Sequence, residues 1–70
     1  MNENLLRGKR AEHSLSQEEI ARQLGVSRTT YRFKESGEGD FSGSEIRKLA
    51  SVLSLNLNEV NAIFFDNKLT

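Results

Sequence analysis

Four times in 70 residues an apolar residue precedes a Ser or Asn, with Glu or Thr three positions further on and an apolar residue after that. Leu15-Ser16-Gln17-Glu18-Glu19-Ile20, Phe41-Ser42-Gly43-Ser44-Glu45-Ile46 and Leu55-Asn56-Leu57-Asn58-Glu59-Val60 carry the acid, and Val26-Ser27-Arg28-Thr29-Thr30-Tyr31 has Thr30 in its place. This is the grammar of a helix start. The cap oxygen accepts from a free backbone N–H, the acid reaches back to the cap, and the flanking apolar pair fixes the entry angle. One match is chance; four are organisation. Strand signals are poor, since no two-residue alternation is sustained and β-branched residues are scattered.

The caps and apolar periodicity predict helices over 17–24, 28–35, 43–54 and 57–65. An earlier helix over about 3–13 has to be held by packing of Leu5, Leu6 and the Arg10 stem. Gly8 costs it roughly 1 kcal/mol against alanine, and Lys9 interrupts its apolar stripe. The expected core gathers Leu6, Leu15, Ile20, Ala21, Leu24, Val26, Tyr31, Ile46, Leu49, Ala50, Leu53, Leu55, Leu57, Val60 and Phe64. Gly37–Asp40 reads as a surface loop. No linker, repeat or low-complexity segment divides the chain, so the expectation is an all-α, five-helix domain over residues 1–70. A chain of this size buries about 60% of the surface it exposes when unfolded, and without cysteine no disulfide supplements that core. The longest apolar run, Ala62–Phe65, is far too short to span a bilayer, and MNENLLRGKR lacks the apolar centre of a signal peptide. A cytoplasmic, non-membrane protein is expected.

Gly25 follows Leu24, the last apolar residue of its helix, where a left-handed backbone ends the turn cheaply. Val26 then turns into the core and Ser27 restarts a helix at once. Two short helices joined so tightly cross steeply, as a helix-turn-helix over about 16–36. Ala21 leaves room for the crossing. On a wheel at about 100° per residue, Tyr31, Thr30 and Lys34 fall on the side of Val26, and Arg28, Thr29, Arg32 and Phe33 fall opposite. That outward set suits a DNA major groove: Arg pairs with guanine, Thr bonds bases or touches a thymine methyl, and an aromatic packs on that methyl. Gln17 and Ser27, at helix N-termini, are candidates for phosphate; Arg7, Arg10, Arg22 and Lys34 suit phosphate or structure.

The chain is neutral overall, but residues 1–34 hold seven Lys/Arg against four Asp/Glu and residues 35–70 hold three against six. The halves are therefore +3 and −3, which allows a basic face on a neutral molecule. The bland alternatives remain beside these readings. Arg28, Thr29 and Arg32 also fit a solvated helix face. Phe33 fits a methyl contact, a protein-binding anchor or a core position. Ile63, Phe64 and Phe65 fit a core-closing end or a dimer patch. His13 reads as a cap or an exposed side chain, and Glu38 with Asp40 lacks a calcium-loop pattern. No nucleophile–base set, phosphate loop or zinc spacing is present, so no enzyme, cofactor or metal is expected.

SLSQEEIARQLGVSRTTYRFKESG resembles the helix-turn-helix of the lambdoid phage repressor and Cro family, the XRE type, with agreement from about Leu5 to Phe65. The resemblance implies a five-helix, lambda-repressor-like domain and a homodimer formed through the C-terminal region. It also implies operator half-sites about one helical turn apart on double-stranded DNA, a docking geometry for which these repressors are themselves the general example. By position, it implies phosphate contact by Gln17, recognition contacts by Ser27, Arg28, Thr29 and Arg32, and a partly buried ion pair of Arg10 with Glu35. Lys9 and Lys34 depart from it, standing where the family usually has apolar residues. GEGDF replaces a loop that commonly carries proline, and Phe33 is unusual at a base-facing position. The motif TYRFKESGEGDF is most similar to small phage regulators of Gram-positive hosts. The expected function is a Cro- or repressor-type regulator of a lysis–lysogeny switch. The alternative is an antirepressor that clasps a phage repressor protein, motivated by the zero net charge, the acidic second half and Phe33.

Overall fold

The computed structural model describes residues 1–66, so residues 67–70 of the expected domain lie outside the described residues. The described chain folds into five helices: α1 (Glu3–Glu12), α2 (Gln17–Leu24), α3 (Arg28–Glu35), α4 (Gly43–Val52) and α5 (Leu57–Phe64). The four expected caps are made. Ser16, Ser27, Ser42 and Asn56 each accept from the backbone N–H three residues on. At α4 and α5 the reciprocal bond from Glu45 or Glu59 to the cap N–H is also formed. Asn2 caps α1 in the same way, accepting from Leu5 N–H at 3.0 Å.

Three helices end by one device. Ser14, Gly25 and Ser54 adopt left-handed φ of 54°, 76° and 52°. The next residue in each case, Leu15, Val26 or Leu55, donates its N–H to the carbonyl five residues back, Arg10, Ala21 or Ala50. Bonds of this kind satisfy the free carbonyls of a last helical turn. The apolar residue packs on the core, and the residue after it is the next helix's N-cap. Ser14-Leu15-Ser16, Gly25-Val26-Ser27 and Ser54-Leu55-Asn56 are thus one corner used three times. These corners stop α1 and α4 at Glu12 and Val52, short of the expected 13 and 54.

α2 packs on α3 and α4, α1 on α3 and α5, and α4 on α5. The fully buried core is Leu6, Ile20, Ala21, Leu24, Tyr31, Leu49, Leu53 and Ile63, with Leu15, Val26, Phe41, Leu55 and Phe64 packed against it. Phe41 links the layers: its ring lies 5.9 Å from Tyr31 and edge-on to Phe64 at 5.7 Å. In α5 the expected phase is wrong. Leu57, at the first helical position, is 75% exposed, and Ile63 rather than the expected Phe64 takes the fully buried place. α1 is tied down as its sequence requires, by Leu6 in the core and by Asn2 N–H donating to the Ile63 carbonyl at 2.6 Å. Lys9, which interrupts the stripe, crosses to α5 and pairs with Glu59 at 2.5 Å.

Candidate nucleic-acid interface

Gly25 closes α2 in the left-handed conformation, with Cβ space open around it, so only backbone strain reserves the position for glycine. α3 restarts three residues later, and its buried stripe runs through Tyr31 and Glu35. Thr29 and Phe33, one turn apart, therefore stand at the centre of the outward face, with Arg32 beside them. Arg28 moves to the flank that faces α2. There a recess of about 360 Å³ is lined by Arg10, Ser16, Gln17, Glu18 and Arg28. All of Arg28, Thr29, Arg32 and Phe33 are exposed. Among the described residues, no ion pair holds Arg28 or Arg32.

Thr30 is not on the core side. It is exposed; its N–H donates to Ser27 Oγ at 3.1 Å and its hydroxyl oxygen accepts from Ser27 Oγ at 2.9 Å, as part of the α3 cap. The wheel placed it inward because it was phased on Val26, which belongs to the corner and not to the helix. Lys34, a candidate for phosphate or for structure, has its ammonium engaged within the fold. Its ammonium donates to both oxygens of Glu45, at 2.8 and 2.9 Å. Burial pushes the Glu45 carboxyl up, but the Lys34 ammonium and the Ser42 N–H outweigh it and hold it below the ordinary value.

Behind the outward face sits a buried carboxylate. Glu35 is 1% exposed and accepts from Arg10 Nε at 3.0 Å, Arg10 Nη2 at 3.2 Å, Gln17 Nε2 at 3.0 Å and Tyr31 Oη at 2.5 Å. Arg10 Nη1 donates to the Leu15 carbonyl at 2.9 Å, tying the cluster to the α1–α2 corner. Burial acts to raise the Glu35 carboxyl, yet Arg10, Tyr31 and Gln17 together lower it below the ordinary value. The Tyr31 hydroxyl is raised well above its ordinary value by burial and by the adjacent carboxylate. Every buried side-chain polar atom among the described residues has a partner, so the cluster is a closed network. It fixes the angle between α2 and α3 and holds Gln17 at the edge of the recess.

Of the other phosphate candidates, Gln17 has one amide hydrogen on Glu35 and Ser27 has its hydroxyl in the α3 cap. Each keeps the free backbone N–H groups of its helix's first turn as donors. Arg22 is exposed and 3.9 Å from Glu18, a loose pair. The charge asymmetry of the sequence is mostly internal. Lys9–Glu59, Arg10–Glu35 and Lys34–Glu45 join three cations of the first half to three acids of the second. Of the exposed cations left outside these pairs, Arg28 and Arg32 stand on α3. Among the described residues no group of three or more His, Cys, Asp or Glu gathers as a metal site, and no helix is long and apolar enough to cross a membrane.

A family model described as helix-turn-helix matches residues 6–60, which takes in the core of α1, the whole α2–α3 unit, α4 and the start of α5. No curated protein and no solved structure matches the chain at a significant level. The matched span, the packed α2–α3 pair and the uncommitted donors on α3 agree, and the chain belongs to the helix-turn-helix family of sequence-specific, DNA-binding regulatory domains, which are not enzymes.

Proposed function

We propose that the chain is a repressor- or Cro-type transcription regulator of a bacteriophage, acting in the bacterial host's cytoplasm by occupying an operator. α3 lies in the major groove, with Arg28, Thr29, Arg32 and Phe33 toward base edges. The α2 and α3 N-termini at Gln17 and Ser27, with Arg22, lie toward phosphates. The observation that carries this reading is the outward face of α3. Its polar and apolar groups are exposed and its arginines unpaired, although six ion pairs are formed elsewhere among the described residues. A structural helix of this size has no need of that arrangement. A second copy joined through α5 places two such helices on successive half-sites, and the solvent-facing Leu57 supports that surface.

The test is selection of bound sites from random duplex DNA, followed by affinity measurements on the selected site and its variants. Arg28→Ala is expected to cost about 1–3 kcal/mol and to relax preference at one base position, while Gln17→Ala weakens every site alike. Equal losses on all sequences for both variants contradict these roles. The half-exposed Phe33 favours one second reading, an antirepressor that binds a phage repressor protein. No DNA affinity at low salt, with retention of a co-expressed phage repressor on the purified chain, establishes that reading instead.

A further inference from the structure

Phe33 is 50% exposed at the centre of the outward face, yet one edge of its ring is packed against the chain. The chain folds back after α3 so that Gly39 lies directly against one ring edge. A Cβ on Gly39 would stand 2.6 Å from both Phe33 Cδ2 and Cε2, and 3.4 Å from Lys34 Cγ. Real Cβ atoms do not approach so closely, so the ring sits where it does only because residue 39 has no side chain. The backbone beneath is equally fixed: the Phe33 carbonyl accepts from Ser36 Oγ at 2.7 Å and from Gly39 N–H at 3.3 Å. Lys34, the next residue, is pinned to Glu45. One ring edge is braced and the other is open. One turn earlier, exposed Thr29 adds a methyl to the same strip, with Arg32 alongside.

A rigid apolar strip beside hydrogen-bonding side chains is complementary to one feature of the major groove. That feature is the 5-methyl group of a pyrimidine, which stands among the donors and acceptors of the neighbouring base edges. We propose that Phe33 reads a pyrimidine 5-methyl group in the operator and that Gly39 is the positioning residue that holds its ring for that contact; this rests on the DNA-reading function above. Bracing matters because a ring already held in place loses little rotamer freedom on binding. It also explains why an exposed aromatic is kept on this face at all.

Three random-sequence duplex pools test it, one built with thymine and cytosine, one with uracil and cytosine, and one with uracil and 5-methylcytosine. Wild-type protein is expected to select a motif from the first pool in which one thymine position disappears from the second pool's motif. Affinity for the selected site should fall about fourfold on thymine-to-uracil replacement there, the worth of one buried methyl. Return of the preference in the third pool assigns methylcytosine as the source, and its confinement to the first assigns thymine. Phe33→Ala and Gly39→Ala should each abolish the thymine–uracil difference while leaving the other selected positions unchanged. In a Phe33→Ala background Gly39→Ala should change nothing further, because the ring it displaces is gone. Phe33→Leu, which keeps apolar bulk, covers the case in which a variant fails to fold, and should retain part of the difference. The same motif from all three pools overturns the proposal, as does a Gly39→Ala variant that loses all positions equally. No motif from any pool overturns the DNA-reading function itself.

Discussion

Arg10→Met removes one side chain and unmakes three hydrogen bonds. Arg10 Nε and Nη2 leave Glu35, and Nη1 leaves the Leu15 carbonyl. Glu35 stays at 1% exposure with only Tyr31 and Gln17 as donors, both neutral. Removing one partner of a buried pair costs about 3–5 kcal/mol, chiefly because the other charge is left uncompensated. The Arg10 side chain is itself 18% exposed, so some water reaches the vacated space and the lower figure, about 3 kcal/mol, applies. At about 4–8 °C per kcal/mol for a domain of this size, the midpoint of thermal unfolding should fall by roughly 12–24 °C. Adding Glu35→Gln to Arg10→Met should recover part of that loss. The amide carries no charge, and its carbonyl still accepts from Tyr31.

The pH dependence gives the same argument a sign. In the wild-type fold Glu35 is held below its ordinary value of 4.5. Its contribution to stability is therefore fully present above about pH 4.5 and is lost as pH falls through the lower, folded value, where the unfolded chain already binds the proton. Without Arg10 the main group opposing burial is gone, so the folded carboxyl takes up its proton at a higher pH than in wild type, and acid relieves the variant. The gap between wild type and Arg10→Met, followed by circular dichroism melts, should narrow from pH 7 to pH 4. A midpoint within about 2 °C of wild type at pH 7, or a gap that stays constant down to pH 4, refutes the reasoning.

Lys34→Gln separates structure from phosphate contact. It should cost about 2 kcal/mol of stability, between the values for exposed and buried pairs, since the Lys34 and Glu45 side chains are 21% and 10% exposed. The salt dependence of operator binding should stay as in wild type, whereas loss of a phosphate-bound lysine would reduce the slope by about 1. Ser54→Gly, at a left-handed φ of 52°, should raise stability by about 0.5–1 kcal/mol as the strain exceeds the added freedom of the unfolded chain. An unchanged or lowered denaturant midpoint would show that this corner is not strained.

What the sequence carried legibly was local. Ser16, Ser27, Ser42 and Asn56 mark helix starts because a cap is decided by residues within one turn of it, and Gly25 marks a corner because a left-handed φ is a one-residue property. The same logic missed Ser14 and Ser54, whose side chains do not announce the conformation they adopt. It also misphased α3. Val26 sits in the corner, so extrapolating from it turned Thr30 inward and set Arg28 level with Thr29, whereas the packing of Tyr31 and Glu35 fixes the true face. Leu57 was read as core from apolarity alone, but the first residue of α5 is left largely in solvent. The pairing of Lys34 with Glu45 joins two helices across a loop, and no local pattern encodes it.

That pairing has a counterpart which reorders the meaning of the charge pattern. Lys9 and Lys34 are the two lysines that interrupt otherwise apolar positions. Each meets the capping-box glutamate of a later helix, Glu59 of α5 and Glu45 of α4. A glutamate that caps a helix is already oriented by its bond to the cap N–H, so it presents a fixed carboxylate to a long, flexible cation. The two lysines therefore belong to the scaffold, and with Arg10–Glu35 they account for the whole surplus of +3 in residues 1–34. Net charge therefore does little to attract DNA regardless of sequence. Counterion release from a few contacts is a weak source of affinity, and non-specific binding scales with the number of phosphates neutralised. A neutral domain that binds DNA by sequence draws its discrimination from the base edges. On the short outward strip of α3, two unpaired arginines and the exposed Phe33 have no structural duty to perform first.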